Sequence, residues 1–138
     1  MVKHILIVDD EKEFLFSAEI ALRNAGYRTE AAIDGRKALA KIREAQDRSD
    51  PFDLLVLDIR MPGMSGVELI EELTRKEILL PALIMSAYIE KPLTRELEKK
   101  GCFNIIEKPF PPKELVGRIA DVLSKPASRD GRYETVAE

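Results

Sequence analysis

The stretch HILIVDDEKEF, residues 4–14, carries a strongly apolar run directly into three consecutive acids, Asp9, Asp10 and Glu11. Two carboxylates about 4 Å apart repel each other by roughly 4 kcal/mol at an effective dielectric constant near 20. Such a cluster therefore needs something that offsets the repulsion. Solvation at the start of a helix, whose N-terminal dipole favours acids, is one alternative, and a bound divalent cation is the other.

Two later segments, FDLLVLD at 52–58 and PALIMS at 81–86, are also apolar nearly throughout rather than alternating with polar residues. This pattern is typical of strands that are covered on both faces, as in a parallel sheet. The segments YRTEAA at 27–32 and FNIIE at 103–107 complete a set of five predicted strands.

The segments between the predicted strands show the spacing of amphipathic helices. The predicted helices cover residues 11–25, 36–46, 66–76, 92–100 and 112–124. Gly26 supplies a stop for the first helix, and Pro92 opens the fourth. The inward faces carry Phe14, Leu15, Ala18, Ala21, Leu22 and Ala25 in the first helix and Leu115, Ile119 and Leu123 in the last.

Five βα units with right-handed crossovers predict an α/β fold. We expect a five-stranded parallel sheet of the flavodoxin-like, doubly wound (βα)5 type, with strand order 2-1-3-4-5. Ligands of such folds bind beyond the C-terminal ends of the strands.

Length and composition are those of one ordinary globular domain, which we place at residues 1–124. Residues 125–138 contain Pro, Gly and both signs of charge with little to bury, so they are interpreted as a mobile tail. The net charge of -3 gives no indication of nucleic-acid binding by this chain. Cys102 is the single cysteine, and no apolar run is long enough for a membrane span. The segment before Asp9 is too short for a signal peptide, so we expect a cytoplasmic protein.

Polar residues fall at the C-terminal ends of four predicted strands, and this convergence is the main functional signal. Each of them alone is more simply a helix cap or a turn residue. Together, three carboxylates in one pocket need a cation, and oxygen ligands of this kind suit Mg²⁺. Such a site can receive phosphate, with a carboxylate attacking phosphorus while Mg²⁺ and an ammonium balance the charge. The residues concerned are Asp9, Asp10, Asp58, Ser86 and Lys108.

Four motifs in this order resemble a known family. They are VDD at 8–10, DIRMPGMSG at 58–66, SA at 86–87 and KPF at 108–110. The chain is similar to the response-regulator receiver domains of two-component signal transduction from about Lys3 to Leu123. The resemblance implies a signalling protein and not an enzyme, since such a domain catalyses only its own phosphoryl transfer and autodephosphorylation.

The resemblance also assigns roles to individual residues. Asp58 would be the phosphoacceptor, taking the phosphoryl group from a sensor histidine kinase or a phosphotransfer protein. Ser86 and Lys108 would hold the phosphoryl oxygens. The implied Mg²⁺ ligands are Asp10, Asp58, the backbone carbonyl of Arg60 and, through water, Asp9.

The implied output is a phosphorylation-dependent contact with a downstream protein, without a membrane or a nucleic acid as partner. We expect either a stand-alone receiver or one cut from a longer regulator.

Two departures from the family concern this output. Ile105 stands three residues before Lys108, where receivers commonly carry a Tyr or Phe that swings inward on phosphorylation. Tyr88 is the nearest aromatic residue that could take over or could screen the acyl phosphate from water. Phe103 stands where many transcription-factor receivers begin an acidic pair, so it is either a partner contact or a buried plug. His4 is interpreted as an edge residue at the wrong end of its strand for the pocket.

Three alternatives were weighed against the receiver. A phosphatase of the haloacid dehalogenase type also uses an Asp nucleophile, Mg²⁺ and a Lys, but it carries D-x-D after the first strand, whereas Asp9 and Asp10 are adjacent. A flavodoxin-like FMN binder has the same fold, but the acidic loop here would repel a cofactor phosphate. A degenerate receiver that no longer takes phosphate is disfavoured by the complete set of five site residues.

Overall fold

The computed structural model describes residues 2–87 and 104–124, together with four isolated helical positions, Pro92, Arg95, Glu96 and Lys99. The strands are β1 (His4–Val8), β2 (Arg28–Ala32), β3 (Leu54–Asp58), β4 (Ala82–Ser86) and β5 (Ile105–Glu107). The helices with complete bounds are α1 (Lys12–Asn24), α2 (Gly35–Asp47), α3 (Gly66–Arg75) and α4 (Pro112–Leu123). Most of the helix predicted over 92–100, and the whole segment 125–138, lie outside the described residues.

The five strands form one parallel sheet in the order β2-β1-β3-β4-β5, which confirms the predicted fold and strand order. Val8 at the end of β1 pairs with Ala32 of β2 and Leu57 of β3. Ser86 at the end of β4 pairs with Glu107 of β5. The C-terminal ends of the strands therefore lie along one edge of the sheet, where a doubly wound fold places its ligands.

Alternate residues of each strand supply two separate hydrophobic cores, one on each face of the sheet. Leu6 and Val8 pack with Ile42 of α2 and Ile70 of α3. On the opposite face, the core contains Ile5, Ile7, Leu15, Leu22, Leu115 and Ile119, from β1, α1 and α4. The continuous apolar runs of the sequence are thus explained, because helices cover both faces.

Local contacts fix where the helices begin. The Asp34 side chain accepts a hydrogen bond from the Lys37 backbone N–H at the start of α2, and Ser65 and Glu68 form a reciprocal capping box at the start of α3. At Gly66 an added Cβ would lie 2.8 Å from the Asp58 carbonyl oxygen. A residue without a side chain therefore lets α3 begin directly against the end of β3.

The interpretation of His4 as an edge residue is wrong. β1 is an interior strand, and the His4 side chain is buried, with its ring centroid 4.2 Å from that of Phe52. Its Nε2 lies 3.0 Å from Glu30 Oε2 on the neighbouring strand. Because His4 is at the N-terminal end of β1, it is nevertheless far along the strand from the acidic cluster.

Among the helices that the structure describes, none has the length and apolar character needed to cross a membrane.

Candidate functional site

The carboxyl ends of β1, β3 and β5 bring together three of the predicted site residues. Asp9 follows β1 and is fully buried, and Asp58 is the buried last residue of β3. Lys108 follows β5, at the sheet edge, and its side chain extends across the end of β4 to reach both carboxylates. The arrangement follows from strand order alone, since parallel strands end at the same edge.

Asp9, Asp10 and Asp58 form a cluster in which one carboxylate oxygen of each residue lies within 4.8 Å of those of the other two. Asp10 is exposed, so the cluster is open to solvent on one side. Backbone amides orient the two buried carboxylates, because Glu11 N–H donates to Asp9 Oδ1 (2.9 Å) and Arg60 N–H donates to Asp58 Oδ1 (3.2 Å). Three hard oxygen donors with an open side could hold a divalent cation that keeps several waters.

The Lys108 ammonium links the two buried carboxylates. Its Nζ donates to Asp9 Oδ2 at 2.9 Å and to Asp58 Oδ2 at 3.1 Å. Glu11 Oε1 lies 4.0 Å from the same nitrogen. Charge-assisted hydrogen bonds of this kind are the strong ones in proteins, and they offset part of the repulsion between the acids.

The surroundings of Asp58 make its carboxyl harder to ionise than a carboxyl in water. Burial raises the pKa of the Asp58 carboxyl to about 6, while the charge of Lys108 lowers this pKa and that of Asp9 raises it further. For Lys108, burial lowers the pKa of the ammonium, but its hydrogen bond to Asp9 and the charge of Asp58 outweigh burial and raise it above the usual value. The lysine therefore stays charged at neutral pH.

Ser86 is buried at the end of β4, between the strands that carry Asp58 and Lys108. Its hydroxyl donates to the Ala87 carbonyl at 3.0 Å, and its own carbonyl accepts from the Lys108 N–H at 2.7 Å. The hydroxyl thus lies at the same edge of the sheet as the acidic cluster and donates to a backbone carbonyl.

Two aromatic residues beside the cluster were not singled out from the sequence. Phe14 of α1 has its ring centroid 5.2 Å from Lys108 Nζ, and the ring meets Phe110 edge to face, with 6.0 Å between centroids. The helical spacing predicts only that Phe14 lies on the inward face of α1. An available signal was its position one helical turn after Asp10, with Phe110 two residues after Lys108.

The residues predicted for switching are only partly described. Ile105 is half-buried in β5, pairs with Ile84 of β4, and its carbonyl accepts from Arg118 Nη2 of α4 at 2.6 Å. Tyr88 and Phe103 lie outside the described residues.

Comparisons with known proteins give one consistent result. The profile of the response regulator receiver domain matches residues 5–120. The response regulator SaeR of Staphylococcus aureus is 30% identical over 122 residues, which are 88% of this chain and 51% of SaeR. This chain therefore spans about half the length of the relatives that it matches in sequence.

Solved structures agree in fold. A CheY-like receiver domain protein from Methanospirillum hungatei is 30% identical with a TM-score of 0.78, over 90% of this chain and 95% of that one. The chemotaxis protein CheY4 of Vibrio cholerae is 28% identical with a TM-score of 0.73, over 88% of this chain and 98% of that one. The fold, the acidic cluster and these matches agree. The chain therefore belongs to the family of response regulator receiver domains of two-component systems.

Proposed function

We propose that Asp58 is a phosphoacceptor that takes its phosphoryl group from a histidine. The observation that carries this proposal is the pairing of the Asp58 carboxylate with the Lys108 ammonium at 3.1 Å, beside two further acids at an open strand end. A buried carboxylate whose pKa burial raises to about 6 has an ionised form that is poorly solvated and therefore reactive.

In the proposed step, an oxygen of Asp58 attacks the phosphorus of a phosphohistidine. An O–P bond forms while the N–P bond breaks, and its electron pair leaves with the imidazole nitrogen, which takes up a proton. The incoming phosphoryl oxygens bring negative charge next to Asp9. Lys108 compensates this charge, since its ammonium already lies between Asp9 and Asp58.

The proposed metal ligands are the carboxylates of Asp9, Asp10 and Asp58 and the backbone carbonyl of Arg60. The donor chemistry of the cluster supports them, because all of these atoms are hard oxygens and the three carboxylates are close enough to share one ion. When bound, Mg²⁺ would neutralise charge on the transferring group. The oxygens of the chain would position the ion, and Asp9 is expected to act through water.

Ser86 is proposed to donate its hydroxyl to a phosphoryl oxygen once Asp58 is modified. Its present acceptor is the adjacent Ala87 carbonyl, so the hydroxyl can change partner by rotation of its own side chain. Phosphorylation would add about two negative charges at the end of β3 and could bias a two-state surface.

The proposed phosphate source is a sensor histidine kinase or a phosphotransfer protein in the cytoplasm, and the proposed output is contact with another protein. Because the matched relatives are about twice as long, the chain is proposed as a receiver that works either alone or within a longer regulator. Because Ile105 stands at the position of the usual aromatic residue, Tyr88 is proposed to take over its role or to screen the acyl phosphate from water, and Phe103 is proposed as a partner contact.

The experiment that tests this function is intact-mass measurement after incubation with acetyl phosphate, with and without Mg²⁺. We expect one phosphoryl group on the wild type when Mg²⁺ is present and none on Asp58→Asn. Asp47→Asn is a matched control, because Asp47 is an exposed aspartate at the end of α2.

The control variant should be modified like the wild type. Equal modification of Asp58→Asn and the wild type would contradict the assignment of Asp58. A yield that is independent of Mg²⁺ would contradict the proposed metal site.

A further inference from the structure

The Lys108 ammonium has an aromatic neighbour as well as carboxylates. The face of the Phe14 ring lies 5.2 Å from Lys108 Nζ, on the α1 side of the pocket. An aromatic face carries partial negative charge and attracts a cation within about 6 Å of its centroid. The ring also packs edge to face against Phe110, two residues after Lys108.

Three acidic side chains compete for the Lys108 ammonium, two of them buried and one exposed. Asp9 and Asp58 are buried and lie at hydrogen-bond distance, whereas Glu11 Oε1 is 4.0 Å away on a side chain that is 71% exposed. The Lys108 side chain is itself 24% exposed, so water and Glu11 can draw it outward. The Phe14 ring covers the Lys108 ammonium on the side of α1. It therefore favours the position in which the ammonium lies over the buried carboxylates.

Phe14 packs against the edge of the core, but core packing covers only part of its side chain. Leu15, Ala18 and Leu22 bury the core-facing side of α1, and Phe14 is only half-buried. A hollow of about 290 Å³ between α1 and α4 is lined by both Phe14 and Phe110. The ring therefore borders this hollow on one side, and its 5.2 Å contact with Lys108 Nζ brings it to the residue proposed to meet the phosphoryl group.

We propose that Phe14 is a positioning residue for phosphoryl transfer, whose ring holds the Lys108 ammonium over Asp9 and Asp58. This inference rests on the proposed function of Asp58 and Lys108. Phe14 acts through Lys108 and does not touch the reacting atoms.

The test compares three substitutions. Phe14→Leu removes the ring but leaves an apolar side chain of similar size. Phe14→Tyr keeps an aromatic ring at this position. Phe16→Leu is a matched control, because Phe16 lies on the same helix but is 69% exposed and outside the pocket. The hollow beside Phe14 leaves room for leucine or tyrosine at this position and Phe16 is exposed, so all three proteins should fold.

The first readout is the NMR spectrum of the Lys108 side chain, which does not require phosphorylation. A ring face near the ammonium shifts the ε-methylene protons of Lys108 upfield. We expect this shift in the wild type, in Phe14→Tyr and in Phe16→Leu, and its loss in Phe14→Leu. An unchanged Lys108 signal in Phe14→Leu would overturn the contact.

The second readout is the rate of phosphorylation by acetyl phosphate at saturating Mg²⁺. From the usual strength of such cation–ring contacts, we expect Phe14→Leu to be slower by roughly threefold to tenfold, with Phe14→Tyr close to the wild type. In a Lys108→Met background, Phe14→Leu should cause no further loss, because the two changes remove the same interaction.

The outcomes separate this inference from the proposed function. If the wild type accepts a phosphoryl group and Phe14→Leu is as fast as Phe16→Leu, the positioning role is wrong and the phosphoacceptor stands. A further loss in the Lys108→Met background would also overturn it, since Phe14 would then act by another route. If the wild type itself accepts no phosphoryl group, both proposals fail.

Discussion

Replacing Asp58 by asparagine should stabilise the protein in the absence of divalent cations. Burial raises the pKa of the Asp58 carboxyl from 3.8 to about 6, so ionising this side chain costs more in the folded protein than in the unfolded chain. At about 1.4 kcal/mol for each pH unit between these values, ionisation costs the folded state about 3 kcal/mol at neutral pH. Asparagine has nearly the same shape and carries no charge.

The pKa of about 6 already includes the attraction of Lys108, and screening by water at this open site makes the expected gain smaller than about 3 kcal/mol. We expect an increase of about 1–3 kcal/mol in the free energy of unfolding at pH 7.5, measured by urea denaturation without Mg²⁺. The sign of the pH dependence follows from the raised pKa. The contribution of Asp58 to stability is fully present below pH 3.8 and is lost as the pH rises through about 6.

The difference in the free energy of unfolding between Asp58→Asn and the wild type should therefore become smaller when the pH is lowered from 7.5 to 5. Asp47→Asn should stay within about 0.5 kcal/mol of the wild type at both pH values. Adding Mg²⁺ should stabilise the wild type more than Asp58→Asn, because the variant lacks one proposed ligand. An Asp58→Asn protein that is less stable than the wild type at pH 7.5 would refute the reasoning, since Lys108 would then more than offset the cost of burial.

Four further substitutions, of which Gly117→Ala is a control, test the packing around the site by urea denaturation. Gly66→Ala should destabilise the fold by about 1–3 kcal/mol, because its Cβ would lie 2.8 Å from the Asp58 carbonyl oxygen. Gly117→Ala should instead stabilise the fold by about 0.5–1 kcal/mol, because open space surrounds Gly117 in α4. Equal effects at the two glycines would contradict the close approach of Gly66 to Asp58. Ser65→Ala should cost about 1 kcal/mol by removing the capping box with Glu68, and a neutral result would mean that the cap is not formed in solution. Leu57→Ala should cost about 2–5 kcal/mol, since Leu57 is fully buried in the core between the sheet and α2 and α3; a cost below 1 kcal/mol would indicate a loosely packed core.

The fold could be predicted from the sequence because several signals agree. Runs such as residues 54–57 are apolar throughout, which requires cover on both faces, and Gly26 follows α1 with a positive φ of 101°. The meeting of Asp9, Asp58 and Lys108 at one edge then follows from topology, whatever the side-chain details. The strand order and the doubly wound sheet are confirmed, while the roles of these residues stay predictions.

Other features depend on packing between distant segments, which a single sequence does not encode locally. The burial of His4 requires the approach of Phe52 and Glu30 from neighbouring elements. The position of Phe14 over Lys108 depends on how closely α1 and α4 approach each other and on the contact with Phe110. Helical periodicity gives the face of a helix, but it does not say which charged group lies at the end of that face.

The two hydrogen bonds of Lys108 have a consequence for ion exchange at this edge of the sheet. Any divalent cation that enters the cluster meets an ammonium already seated on one oxygen of Asp9 and one of Asp58. The net binding free energy of the cation is therefore the difference between the attraction of the carboxylates for the cation and their attraction for Lys108. The lysine is an internal competitor for the same carboxylates. A tethered competitor is present at a fixed high effective concentration, which favours weak retention and rapid turnover of the ion.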